Sequence, residues 1–162
     1  ALIYAPLTGK TEQVAQKFKA MLPEFEVDLI PAMIADRDLL NSYDRIVFGL
    51  MADNAGSYEF NLLSNPWGQF QQQLNGISLE GKKSAVFYIF NQKDMGMQLE
   101  DELGKIRDIL ASRGAQMVGH FCPDPHSGHA FAGLPLDEEN EPHLTDSRLQ
   151  HWANILRHDF TA

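Results

Sequence analysis

Leu2-Ile3-Tyr4-Ala5-Pro6-Leu7-Thr8-Gly9-Lys10-Thr11 is an apolar run that turns through a short loop into a helical pattern. Apolar residues then recur on one helical face, at Val14, Phe18, Met21 and Leu22. A strand that turns in this way into a helix directs backbone N–H groups and the positive helix end at one point, which suits a phosphate. We therefore expect an anion site in the loop at 6–11.

Two other interpretations of this loop are open to the sequence. Gly9-Lys10-Thr11 resembles the end of the phosphate loop of nucleoside triphosphatases, but that motif needs a glycine five positions before Gly9, where this chain has Tyr4. The match to a triphosphatase therefore fails. In the second interpretation the loop is only a tight turn, and Thr11 caps the helix.

The composition limits the class of protein. A chain of 162 residues with 44% hydrophobic residues predicts a single domain, 1–162, with a real core. The formal charge of -9 argues against nucleic acid or an anionic membrane as a partner and favours a basic protein surface. One cysteine, Cys122, excludes an internal disulfide, and no apolar run is long enough to cross a membrane, so we expect a cytoplasmic protein.

Strand and helix patterns alternate along the chain. The apolar runs predict strands at 2–5, 26–30, 45–50, 84–90 and 117–121, and helical periodicity predicts the last three helices near 65–74, 99–110 and 145–160. A weaker helical pattern covers 32–42. Five alternations predict an α/β fold, a doubly wound five-stranded parallel sheet with helices on both faces. Ligands of such sheets bind beyond the carboxyl ends of the strands, so the loops after the first, third and fourth strands should form the pocket.

Several motifs resemble those of a known family. They include Thr8-Gly9-Lys10-Thr11, Tyr43-Asp44-Arg45-Ile46-Val47-Phe48-Gly49, Gly81-Lys82-Lys83-Ser84-Ala85-Val86-Phe87 and Gly133-Leu134-Pro135-Leu136-Asp137-Glu138-Glu139-Asn140. The family is the flavodoxins, FMN-carrying electron-transfer proteins, and specifically their long-chain branch, which has an insertion near the fifth strand. The resemblance implies the strand order 2-1-3-4-5 and FMN as the cofactor.

The resemblance also implies which residues bind FMN. In the phosphate loop these are Leu7, Thr8, Gly9, Lys10 and Thr11; in the loops after the third and fourth strands they are Met51, Ala52, Asp53, Asn54, Phe90, Asn91, Gln92 and Met95. The cofactor would supply the redox chemistry, so we expect no catalytic side chain. The chain would act as a monomeric carrier that exchanges single electrons with the basic surface of a redox partner.

The chain departs from the family pattern in the ring pocket. Asp53 stands where a flavin-stacking tryptophan is expected, and Met95 replaces the second stacking aromatic residue. Stacking of a flat heterocycle contributes about 1 to 3 kcal/mol per contact. Phe90 replaces a glycine and would either block the ring or stack on it, while Pro6 replaces the first hydroxyl of the phosphate loop. The alternative function is therefore a flavodoxin-fold protein that has lost FMN and acts as a binding or regulatory module.

Two smaller groups of residues could in principle form sites. His120, Cys122, His126 and His129 are of metal-ligand type, but their spacing fits no closed zinc pattern, so we predict no metal site. The acids Asp137, Glu138, Glu139 and Glu141 are interpreted as a solvated loop.

Overall fold

The computed structural model describes residues 1–5, 10–51, 76–90, 98–122, 130–138 and 140–161. The strands are β1 (Leu2–Ala5), β2 (Leu29–Pro31), β3 (Arg45–Met51), β4 (Lys83–Phe90), β5 (Gln116–Met117) and β6 (Leu134–Asp137). The α-helices in the described ranges are α1 (Lys10–Ala20), α2 (Arg37–Asn41), α3 (Gln98–Ser112) and α4 (Thr145–Thr161). Short 3-10 turns occupy Ala32–Ile34 and Pro142–Leu144.

The six strands form one parallel sheet in the order β2-β1-β3-β4-β5, and β6 also pairs with β4. β5 lies beside Lys83 and Ser84 at the start of β4, and β6 lies beside the last four residues of β4. The order 2-1-3-4-5 is therefore confirmed, but the fifth position of the sheet holds two short strands instead of one. The predicted count of five strands is therefore too low by one, because the sheet has six strands in five positions.

The predicted fifth strand at 117–121 is wrong in its extent. β5 ends at Met117, and Phe121 forms only an isolated antiparallel bridge with Phe131. Gly119 lies between them with φ +75, a left-handed conformation that takes the chain out of the strand. The chain leaves the sheet here and returns as β6.

Alternate residues of the strands face two apolar clusters, one on each side of the sheet. The α3-face cluster joins Ile3, Phe48, Leu50, Val86, Tyr88 and Phe90 to Leu40 of α2 and to Leu103, Ile106 and Leu110 of α3. The α4-face cluster joins Leu2, Tyr4, Val47, Phe87 and Ile89 to Val14 and Phe18 of α1 and to Leu149, Trp152, Leu156 and Phe160 of α4. Helices cover both faces, as the doubly wound fold requires.

Among the residues that the structure describes, Trp152 is the largest fully buried side chain, and it lies in the α4-face cluster. Its ring centroid lies 5.0 Å from that of Phe18 and 6.3 Å from that of Phe87, the latter edge to face. Its indole N–H donates to the Gly119 carbonyl at 2.8 Å, so the one polar atom of the ring is satisfied. This hydrogen bond joins the chain just after β5 to α4.

The structure bears out most of the other predicted elements. α3 ends before Gly114, whose φ of +99 closes the helix, and α4 begins at Thr145 as expected. The predicted edge strand at 26–30 is shorter and displaced, at Leu29–Pro31. The predicted helix at 65–74 lies outside the described residues.

Candidate functional site

The carboxyl ends of the strands meet at one edge of the sheet, which we call the carboxyl edge. Ala5 pairs with Leu50, one residue before the end of β3, and Phe90 at the end of β4 pairs with Asp137 at the end of β6. The loops predicted to bind a ligand follow β1, β3 and β4. Each therefore leaves the sheet at the carboxyl edge, as expected for a ligand site of a doubly wound sheet.

The structure describes four of the thirteen predicted site residues: Lys10, Thr11, Met51 and Phe90. The other nine lie outside the described residues, namely Leu7, Thr8, Gly9, Ala52, Asp53, Asn54, Asn91, Gln92 and Met95. Lys10 and Thr11 begin α1, and Met51 and Phe90 end β3 and β4. All four thus lie at the carboxyl edge.

Thr11 is completely buried in the first turn of α1. Its hydroxyl oxygen has no hydrogen-bond partner within the described part of the chain. A buried hydroxyl without a partner costs about 1 to 3 kcal/mol, so native structures seldom keep one without a reason. The backbone N–H groups of a first helical turn also lack intrahelical partners. The beginning of α1 therefore offers several donors that an anion would satisfy.

Tyr4 lies in β1 just before this loop, with its side chain in the α4-face cluster. Burial, and then the nearby Glu12 carboxylate, raise the pKa of Tyr4 above its ordinary value of 10.0. The phenol therefore stays neutral at physiological pH. It places a rigid, uncharged ring beneath the start of α1.

Phe90 is only 7% exposed and belongs to the α3-face cluster, together with Leu103 and Ile106 of α3. The sequence did not decide whether Phe90 would block a flavin ring or stack on it. Its burial indicates a contribution to the core. Met51 is half-buried and packs on the opposite, α4-face cluster.

The interpretation of the acids at 137–141 as a solvated loop is wrong for Asp137. Its side chain is 1% exposed, and its carboxylate accepts bonds from the backbone N–H of Asn140 at 2.9 Å and from the Asn140 amide group at 2.9 and 3.1 Å. Glu138 accepts a bond from the Thr145 hydroxyl at 2.8 Å. The bonds of Asp137 and Glu138 connect the end of β6 to the start of α4. An Asp followed three residues later by Asn was the available signal, since short polar side chains of this kind close turns.

The remaining site expectations concern metals and membranes. Among the residues that the structure describes, no group of three His, Cys, Asp or Glu side chains could hold a metal ion, while His126 and His129 lie outside them. None of the described helices has the length and apolar character needed to cross a membrane.

The sheet order defines a doubly wound α/β protein, a class in which ligands bind beyond the carboxyl ends of the strands. The family model for flavodoxin matches residues 2–152. A flavodoxin of Synechococcus elongatus is 29% identical over 98% of this chain and 96% of its own length, and flavodoxin 1 of Escherichia coli K12 is 30% identical over 92% and 87%. The chain belongs to the flavodoxin family.

Solved structures give the same fold. A structure of Fusobacterium nucleatum flavodoxin bound to flavin mononucleotide superposes with a TM-score of 0.80, covering 98% of this chain and 96% of that one at 21% identity. The likeness extends over the whole sheet and both helical layers.

Proposed function

We propose that this chain binds FMN at the carboxyl edge of the sheet and carries single electrons between redox proteins. The observation that carries the proposal is the buried, unpartnered hydroxyl of Thr11 at the start of α1, in a chain of the flavodoxin family. A phosphate monoester there would accept hydrogen bonds from the Thr11 hydroxyl and from backbone N–H groups of the first turn. The comparisons favour this carrier over the flavin-free binding module that the sequence left open.

The residues present fit the phosphate end of the cofactor. Thr8, Gly9, Lys10 and Thr11 would hold the phosphate, with the side chain of Lys10 adding a positive charge. FMN, when bound, accepts and releases single electrons, and the protein binds and orients it. Tyr4 stays uncharged beneath the site, so it adds no negative charge next to the phosphate.

The ring end of the site would be held by the residues that follow β3 and β4. Met51, Ala52, Asp53 and Asn54 come from the first loop, and Phe90, Asn91, Gln92 and Met95 from the second. Since Asp53 and Met95 replace two stacking aromatic residues, we expect the phosphate end to provide most of the affinity. The burial of Phe90 supports a role in holding the end of β4 against α3.

The helix beginnings support a basic partner. Each of the four α-helices in the described ranges has an acid in its first turn: Glu12, Asp38, Glu100 with Asp101, and Asp146. Acids at these positions stabilise the helices through the helix dipole. Asp146 pairs with Lys17 of α1 at 3.2 Å, so it adds little net charge. The acids of α1 and α3 stand on helices that follow β1 and β4, and their negative charge would steer a basic redox protein to the flavin site. We infer a monomeric, cytoplasmic carrier.

The absorption spectrum of protein produced with added flavin tests the binding of FMN. A bound flavin that is released on denaturation and identified as FMN supports the proposal. Protein that takes up no FMN at high micromolar ligand contradicts it. Stepwise reductive titration of the loaded protein then tests whether it accepts electrons one at a time.

A further inference from the structure

A cavity of about 380 Å³ opens at the amino-terminal edge of the sheet, opposite the carboxyl edge. Its apolar floor is formed by Leu2, Phe18, Val47 and Phe160. One wall is the loop that precedes β2, and the other is the chain that enters β3. The volume falls in the range of small-molecule sites, roughly 300 to 1,000 Å³. Neither the family nor the proposed flavin site accounts for this cavity.

Carboxylates dominate the polar rim of the cavity. Glu24, Glu26 and Asp44 lie on it, and all three are exposed. Glu24 is paired with Arg157 of α4. Glu26 and Asp44 have no side-chain partner among the residues that the structure describes. Two negative charges are therefore left for a ligand.

Arg45 is the one cationic side chain among the residues that line the cavity. Arg45 donates from Nε to the Phe160 carbonyl at 2.9 Å, and its guanidinium lies 5.7 Å from the centroid of the Phe25 ring. These contacts leave the positive charge of Arg45 in place. Glu24 is neutralised by Arg157, and the carboxylates of Glu26 and Asp44 outweigh the single charge of Arg45, so the rim is negative overall.

The wall next to Glu26 is aromatic. Phe25 is half-buried and packs edge to face against Phe160, with the ring centroids 6.2 Å apart. The Arg45 guanidinium already lies over the Phe25 ring, so this ring adds to the apolar surface of the cavity, which accepts a hydrocarbon group. The two unpaired carboxylates and this floor together match a molecule with an ammonium group at one end and an apolar group at the other.

We propose that the cavity at the amino-terminal edge binds a small organic ammonium ion that bears an aromatic or aliphatic group. The apolar group lies on Leu2, Val47 and Phe160, and the ammonium group lies between Glu26 and Asp44. The site is separate from the flavin site, because the two lie at opposite ends of the strands. Its occupancy does not depend on FMN.

Three probes of nearly equal size test the proposal at pH 8: 2-phenylethylammonium, the neutral 2-phenylethanol and the anionic 3-phenylpropanoate. Binding is followed by the NMR shifts of the backbone amides of Val27, Tyr43 and Val47, with and without FMN. We expect the ammonium probe to bind with a dissociation constant in the millimolar range, about threefold more tightly than the alcohol, and the anion not to bind. The double variant Glu26→Gln with Asp44→Asn should weaken the ammonium probe about fivefold, and the control Asp108→Asn on α3 should not.

Several results would overturn the proposal. These are equal affinities of ammonium and alcohol, tighter binding of the anion, no binding at tens of millimolar probe, or a double variant that binds the ammonium probe as the parent does. Displacement of the probe by FMN would also overturn it, since the probe would then occupy the flavin site. Because both variants change exposed side chains, their folding is checked by the unchanged amide spectrum of residues far from the cavity.

Discussion

At the scale of single residues, we expect the Thr11 hydroxyl to have opposite effects on two quantities. It adds nothing to the stability of the apoprotein, or lowers it, and it raises the affinity for FMN. The buried hydroxyl has no partner among the described residues, so Thr11→Val replaces an unsatisfied polar atom with a methyl group of similar size. We expect the free energy of unfolding of the apoprotein to stay constant or to rise by about 1 kcal/mol. Affinity for FMN should fall by about 10- to 100-fold, because a charge-assisted hydrogen bond to the phosphate is lost.

The matched control is Thr161→Val at the end of α4, where the hydroxyl is exposed and donates to the Arg157 carbonyl at 2.6 Å. It should leave the affinity for FMN unchanged. Fluorescence titration measures the affinities, and urea unfolding of the apoproteins measures the stabilities. A Thr11→Val protein that binds FMN like the parent would show that the hydroxyl takes no part in the site.

Gly49 illustrates a residue fixed by packing. A Cβ atom built on it would lie 2.2 Å from Cζ of Phe87, whose ring fills the space that the missing side chain leaves. Gly49→Ala should therefore lower the free energy of unfolding by about 1 to 3 kcal/mol. Phe87→Leu in the same chain should recover part of that loss, and a double-mutant cycle measures the coupling. Additive effects of the two substitutions would contradict direct contact.

Single residues also mark where sequence reasoning succeeds and fails. The position of Thr11 at a strand-to-helix turn was predictable, because the turn depends only on neighbouring residues. The burial of Asp137 was not, because it depends on the turn that folds the chain back towards α4. Phe90 was ambiguous for a similar reason, since only the packing of α3 shows which cluster receives its ring.

At the scale of elements, an ion pair fastens α4 to the segment that follows α1. Arg157 of α4 pairs with Glu24 and also donates to the Met21 carbonyl. The hydrogen bond from Arg157 is the main cause that holds the pKa of Glu24 below its ordinary value of 4.5. A carboxylate with a lowered pKa stabilises the folded state above its unfolded pKa, and this contribution is lost as the pH falls through the folded value.

Glu24→Gln should therefore lower the midpoint of urea unfolding at pH 7, and the difference from the parent should close as the pH falls below 4.5. Glu26→Gln, two positions away, removes an acid that forms no ion pair with the described residues and serves as the matched control. A difference that stays constant between neutral and acidic pH would show that the ion pair is not its source.

The loops after β3 and β4 carry the prediction on the flavin ring. Asp53→Trp with Met95→Tyr restores two stacking faces and should tighten FMN binding by about 2 to 6 kcal/mol, the stacking figure taken twice. Both positions are proposed to contact the same ring and should therefore couple, so each single variant is titrated as well. An affinity unchanged in the double variant would show that lost stacking is not what distinguishes this pocket.

Phe90→Gly separates blockage from packing. Since the ring is 7% exposed in the α3-face cluster, we expect its removal to destabilise the fold by about 3 to 5 kcal/mol and not to improve FMN binding. Calorimetric unfolding and titration give the two quantities. A variant that keeps its stability and binds FMN more tightly would show instead that Phe90 obstructs the flavin site.

The apolar periodicity of the sequence predicted most of the described helices and strands, but it did not predict the extent of the fifth strand. The run at 117–121 is apolar enough for one strand, and its interruption depends on Gly119 and on the bond from Trp152 to the Gly119 carbonyl. Both are tertiary effects that a hydrophobic pattern does not contain. The strong patterns of β4, α3 and α4 needed no such information, because their buried residues are close in sequence.

At the scale of the whole molecule, the fold and the function rest on different residues. The sheet order and the two clusters would serve many functions, whereas the flavin site depends on the beginning of α1 and on the loops at the carboxyl edge. The expectation of a single domain over 1–162 agrees with one sheet whose strands come from both ends of the chain, and it stays a prediction. The acids in the first turns of α1 and α3 belong to this scale too, because the sheet topology brings the ends of β1 and β4 to the same edge.

The most direct measurement is a calorimetric titration of the apoprotein with FMN and, in parallel, with riboflavin, which lacks the phosphate. We expect FMN to bind and riboflavin to bind at least about 100-fold more weakly, because several charge-assisted bonds at the start of α1 are lost together. Inorganic phosphate should compete with FMN and not with riboflavin. Equal affinities for FMN and riboflavin, or no binding of FMN, would contradict the account.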